Sequence, residues 1–251
     1  MELAALRREL QKLDSSVTVD AAQDCLAEIG RQIGLPVLAW APDVCSPEYN
    51  SDMDAFYRRA GWAPDVLRVW WDRSAMLKNP LYIQCRTHGV PFVFGPIASP
   101  TNGRAETRLI TADMYRLGAH TLITVPVYLP RGQVSMVSWG GAMTTKEAGR
   151  VLAKFKPELI AAGQLFSHVY IASRVRCLPS AEEHSAFTIR ERECLRFTAQ
   201  GCREDEVAAL IGLSSTTVRY HLDNVVRKLG ASNRAHAVGL AAQLGVLGPI
   251  S

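Results

Sequence analysis

The 251-residue sequence predicts an α+β protein. An N-terminal α-β-α sandwich over 1–175 is joined through 176–186 to an all-α, four-helix domain over 187–251. Three observations carry that reading. Before residue 175, helically spaced apolar residues alternate with short β-branched runs. The stretch "RVRCLPSAEEHSAF", 174–187, then breaks the pattern with a proline, small polar residues and an acidic pair. Beyond it only helical spacing remains, punctuated by capping residues and glycines.

The elements follow in order. "MELAALRRELQKLD" is an amphipathic helix without the apolar core of a signal peptide, so none is expected. Val19, Ala22, Leu26, Ile29 and Ile33 mark a second helix, and "LPVLAWA" a short strand. Residues 61–89 read as two helices broken at Pro80, and "PFVF" as a strand. "ETRLITADMYRLG" is helical and stops at Gly118. "TLITVPVYL" and "QVSMVSW" flank a Pro-Arg-Gly turn as a β-hairpin. A long helix then spans roughly 144–175, with helices expected on both faces of a small sheet.

Composition narrows the class without naming it. The chain is 48% hydrophobic and 21% charged, typical of a globular protein with a core, and no apolar run approaches a membrane span. Six cysteines lie scattered without CxxC pairing, which points to reduced thiols and a cytoplasmic location. A net charge of +4 permits a polyanionic partner but does not demand one.

The C-terminal domain is more specific. Thr188 and Glu191 form a capping box that opens its first helix, and Gly201 closes it. "REDEVAALIG" is the second, and Ser214 caps the third, "STTVRYHLDNVVRKLG", which Gly230 ends. Asn233 starts the fourth. In the third helix Val218, Leu222, Val225 and Leu229 form one stripe that must face the core. Thr216, Arg219, Tyr220, Asp223 and Arg227 then point away from it, with Ser215, Thr217, Asn224 and Lys228 alongside. A short helix, a tight "GLSS" turn and such a second helix match helix-turn-helix geometry. Arg219 and Asn224 are able to read base edges, whereas Arg203, Lys228 and the hydroxyls are suited to phosphates.

The segment "FTIRERECLRFTAQGCREDEVAALIGLSSTTVRYHLDNVVRKLGASNRAHAV" resembles the DNA-binding domain of the LuxR family of bacterial regulators. The matching positions include Glu191, Leu195, Gly201, Glu206, Ala208, Ser214, Thr217, Val218, His221, Asn224, Lys228 and Arg234. The resemblance implies binding to an operator in double-stranded DNA as a homodimer, with the fourth helix at the dimer contact.

More loosely, "KNPLYIQCRTHGVPFVF" and "YRLGAHTLITVPV" resemble the autoinducer-binding domain of quorum-sensing LuxR proteins. The resemblance implies a sensor and dimerisation domain with an internal pocket, and a dimer contact along the 144–175 helix. At the five positions where the family usually places Trp, Tyr, Asp, Trp and Gly, this chain has Val66, Trp70, Asn79, Phe94 and Leu122. Asn79 keeps an acceptor oxygen but loses the charge that strengthens the bond to a ligand amide. Trp70 can donate but not accept. Tyr82 and Ser138 join these five as candidate ligand-binding residues. Two readings stay open: a pocket with changed selectivity, for an unusual acyl-homoserine lactone or another small molecule, or a filled pocket in a ligand-independent dimer. Trp71 packs into the core or shields the pocket mouth in either.

No other chemistry competes. Cys85 and His88, at i, i+3, lack a third orienting group, so no enzyme is expected. His120, His184 and His236 have no metal-ligand spacing, and no cofactor or membrane partner is implied.

Overall fold

The computed structural model describes residues 3–13, 17–97, 105–129, 132–174 and 187–247. The 176–186 linker and the Pro130–Arg131 part of the hairpin turn lie outside them. Two compact units divide near Arg176.

In the N-terminal unit, α1 (Leu3–Leu10) and α2 (Val19–Ile33) precede β1 (Val37–Ala41). Thr18 caps α2 by accepting from Ala21 N, and Gly34 ends it at φ 78°, a left-handed turn that glycine takes without strain. Next come α3 (Ser51–Arg59), α4 (Pro64–Trp70), α5 (Arg73–Leu77), α6 (Pro80–Thr87), β2 (Phe92–Phe94) and α7 (Ala105–Arg116). The hairpin β3 (Thr121–Tyr128) and β4 (Val134–Gly141) and the 30-residue α8 (Thr145–Arg174) complete it.

Two corrections arise here. Residues 61–89 hold three short helices rather than two. The extra break falls at Trp71–Asp72, where Asp72 stops α4 and caps α5 by accepting from Ala75 N. Helix α3 was not anticipated from the periodicity. Asn50 caps it, and its buried side chains Met53, Asp54, Phe56 and Tyr57 mix charge with aromatics and mask an apolar stripe.

The four strands form one antiparallel sheet in the order β1-β4-β3-β2. Side chains alternate between its faces. Val125 and Val127 face α8, where they lie against Gly163, and Trp139 donates its indole N–H to Leu26 O of α2. The other face carries Leu122, Thr124, Met136 and Ser138 and receives α6: Tyr128 Oη donates to Cys85 O and Arg86 O, and Cys85 Sγ meets Met136 Sδ. Strand β1 lies at the sheet edge, and Tyr57 Oη covers that edge at Trp40. It accepts from Trp40 N at 2.9 Å and donates to Trp40 O at 2.7 Å. One continuous core joins both faces.

The C-terminal unit holds α9 (Ile189–Ala199), α10 (Glu204–Ile211), α11 (Ser215–Lys228) and α12 (Arg234–Gln243). Its apolar residues split into two clusters. Cys194, Val207, Ala208, Val218 and Leu222 form one; Phe187, Leu195, Val225, Ala237, Ala241 and Leu247 form the other. Helix α11 supplies both, because Val218, Leu222 and Val225 descend one side of it.

Candidate nucleic-acid interface and ligand site

Each helix of the C-terminal unit begins on a satisfied end. Thr188 Oγ1 accepts from Glu191 N while Glu191 Oε2 accepts from Thr188 N, the reciprocal capping box read from sequence. Glu206 repeats the second half of that device by accepting from Arg203 N at 2.7 Å. Gly212, at φ 67°, turns the chain from α10 towards Ser214, whose Oγ accepts from Thr217 N. The short α10–α11 connection that results is a helix-turn-helix.

On α11, Ser215, Thr216, Arg219, Tyr220, Asp223 and Arg227 are exposed, and Thr217 and Asn224 are half-buried. Tyr220 is 62% exposed, a large aromatic surface without a core to enter. Asn224 Oδ1 accepts from Arg227 Nη2 at 2.8 Å. Arg203 is exposed at the start of α10. Lys228 is placed differently from its neighbours. Its Nζ donates to Glu191 Oε2 at 2.7 Å, with the Glu191 side chain only 4% exposed, and lies over the Phe187 ring. This ammonium ties the end of α11 to the start of α9. Burial pushes the Glu191 carboxyl up, but hydrogen bonds from Lys228 and Thr188 outweigh it and hold it below its ordinary value.

A second charge group spans three helices. Glu204 Oε2 accepts from Arg219 at 3.0 Å, Glu204 Oε1 accepts from Arg234 Nη1, and Arg234 Nη2 donates to Asp223 Oδ1 at 3.2 Å. Arg234, and then Arg219, hold the Glu204 carboxyl below its ordinary value against burial. Sequence reading named Arg219 and Asp223 but missed Glu204 and Arg234 as their partners, which come from other helices.

In the N-terminal unit Phe94, Leu122 and Ser138 share the sheet face that α6 covers, and Tyr82 is buried on α6. Ser138 Oγ and Thr124 Oγ1 hydrogen-bond to each other at 2.8 Å. Their pairing follows the hairpin register, so Thr124 was within reach of sequence reasoning. Val66 and Trp70, one turn apart on α4, are both buried. Trp70 packs on Tyr57 and Trp62 with ring centroids 4.5 and 5.4 Å away. The indole N–H groups of Trp62 and Trp70 are buried without an acceptor among the described residues. Asn79 is half-buried and caps α6, accepting from Leu81 N at 2.9 Å just ahead of Pro80 at the first helical position. Trp71 is half-buried, donates to Asp54 Oδ1 and stacks edge-on with the exposed Tyr49. The Cys85 thiol, buried and pushed up to about 12, lies against Met136, while His88 is exposed beside Thr87. That arrangement makes Cys85 a packing group and no nucleophile.

The short turn between α10 and α11 and the exposed polar side of α11 define the C-terminal unit as a helix-turn-helix domain. Comparison with known proteins refines the class. Residues 185–241 match the bacterial regulatory proteins of the luxR family. The HTH-type transcriptional regulator y4qH of Sinorhizobium fredii is 26% identical over 187 residues, 74% of this chain and 54% of that protein. The transcriptional activator VanR of Vibrio anguillarum is 26% identical over 74% of this chain and 75% of its own. The alignment thus spans about half of y4qH and three quarters of VanR. Crystalline SdiA of Escherichia coli shares the fold at a TM-score of 0.57 and 16% identity, over 97% of this chain and 98% of that one. The C-terminal unit matches the helix-turn-helix domain of the luxR family, and the N-terminal unit shares the SdiA fold. Both y4qH and VanR are named as transcriptional regulators. No helix among the described residues is long and apolar enough to cross a membrane.

Proposed function

We propose that this chain binds operator DNA as a homodimer through α11 and that a small molecule seated among the aromatics of α3–α6 controls it. The DNA reading rests on α11, whose inner side fills both small cores while Arg219, Tyr220 and Arg227 stand outside. In the major groove Arg219 and Asn224 supply base-edge contacts, and Arg203 and the hydroxyls of Ser215, Thr216 and Thr217 supply phosphate contacts. The dimer draws on the half-buried apolar row Val151, Leu152, Ile160 and Leu165 of α8.

The observation that carries the ligand reading is the pair of buried indole donors on Trp62 and Trp70. A buried donor without an acceptor is costly, and a ligand carbonyl oxygen would satisfy it. Val66, Tyr82, Phe94, Leu122 and Ser138 supply the remaining wall, while Asn79 adds an amide in place of a carboxylate. An SdiA structure of the same fold, 15% identical, is a complex with octanoyl-rac-glycerol. A ligand bound chiefly through its carbonyl oxygens fits donor-rich walls of this kind.

A second reading has its own support. Tyr57, Trp62 and Trp70 already pack on one another within 5.4 Å, as expected of a pocket filled by its own side chains in a ligand-independent dimer. Native mass spectrometry of the full chain, expressed in its own host, separates the two. The ligand reading expects a bound small molecule that is lost when Trp62→Phe and Trp70→Phe together remove both donors. A bare protein mass with undiminished DNA binding would replace it with the filled-pocket reading.

A further inference from the structure

We propose that Glu204 determines base specificity by holding the Arg219 guanidinium away from the DNA backbone and presenting it to base edges. This rests on the DNA-binding reading above. Helix α10 supplies Glu204, α11 supplies Arg219 and Asp223, and α12 supplies Arg234, so one carboxylate binds two guanidiniums from different helices. Arg219 Nε donates to Glu204 Oε2 at 3.0 Å, and Nη2 lies at the same distance from that oxygen, so the edge of the guanidinium is held against the carboxylate. Arg234 in turn is held by Asp223, four residues beyond Arg219 on the same helix, and this second carboxylate anchors the far side of the group. The Arg219 side chain nevertheless remains 65% exposed, whereas that of Glu204 is 21% exposed.

An unrestrained arginine on a groove-facing helix swings to the nearest phosphate and binds every sequence alike. An arginine whose fork is fixed by a carboxylate cannot do so without losing a charge-assisted bond. The negative charge of Glu204 also opposes indiscriminate approach to a polyanion. Both effects penalise non-specific DNA more than a site where Arg219 finds a guanine edge.

The test uses the full chain and two duplexes of equal length, one enriched by the wild-type protein from a random-sequence library and one scrambled. Affinity for each is measured at fixed salt. In Glu204→Gln the ratio of the two affinities falls by about fivefold or more, the low end of what a bidentate base contact contributes. The fall comes mainly from tighter binding to the scrambled duplex. Arg219→Lys keeps the charge, loses the fork and leaves the Arg234 pair in place, and it lowers the ratio similarly. Asp205→Asn removes a neighbouring negative charge and changes both affinities by the same factor. A ratio unchanged in Arg219→Lys, or changed as much in Asp205→Asn as in Glu204→Gln, overturns the proposal. If the wild-type chain enriches no sequence at all, the DNA-binding reading itself fails, and this inference with it.

Discussion

Lys228 fastens α11 to α9, and its contribution is measurable as stability. Replacing it by Met leaves the Glu191 carboxylate, 4% exposed, with the Thr188 N–H but without its cation. Because the lysine is itself one-third exposed, the expected loss is about 1–3 kcal/mol, read as a lower unfolding midpoint of the C-terminal unit. The pH dependence follows from the direction of the Glu191 shift. A carboxyl held below its ordinary value of 4.5 in the folded state adds stability above that pH and loses it as the pH falls through the folded value. Acid below about pH 4.5 therefore weakens the wild-type unit, and Lys228→Met flattens that dependence. Urea unfolding between pH 3 and 7 checks both points. At this scale the sequence was only partly legible. The capping box of Thr188 and Glu191 is local, three residues apart, and could be read directly. The Glu191–Lys228 and Glu204–Arg234 pairs join residues 37 and 30 positions apart, and only the folded bundle brings them together. Asn79 shows the same limit: a cap and a pocket wall require the same residue type, and sequence alone does not tell which bond its oxygen makes.

Helix placement depends on a few close approaches. Gly30 of α2 is one: a Cβ there would lie 2.6 Å from Leu35 O and 2.7 Å from Trp139 Cδ1. Gly30→Ala should push α2 from the sheet and strain the Trp139–Leu26 hydrogen bond, at a cost of about 1–3 kcal/mol. Thermal unfolding of the full chain measures it; an unchanged midpoint would show that the contact yields freely. Elements with one strong signal were legible in advance. The β3–β4 hairpin alternates around its turn, and α11 carries Val218, Leu222 and Val225 on one side. The 51–77 region was not, because α4 and α5 are too short to develop a stripe. Their boundaries are set by Pro64 and Asp72 rather than by periodicity.

The whole molecule has two units, one built around an antiparallel sheet and one around a helix-turn-helix that matches the luxR family. The two units were legible from composition because the linker interrupts the helical pattern between them. The proposed small-molecule site was less so, since the residues suggested for its walls lie on α3, α4, α6 and the sheet, with Tyr57 and Trp62 outside the motifs that suggested the rest. The central claim is that the chain reads DNA as a symmetric dimer through α11. Selection of duplexes from a random-sequence library by the full-length protein, followed by sequencing of the bound pool, tests it most directly. A symmetric dimer enriches a two-fold-symmetric sequence whose half-sites lie one helical turn, roughly 10 bp, or a multiple of it apart. A bound pool that stays random, or one enriched only for a single half-site, would contradict it.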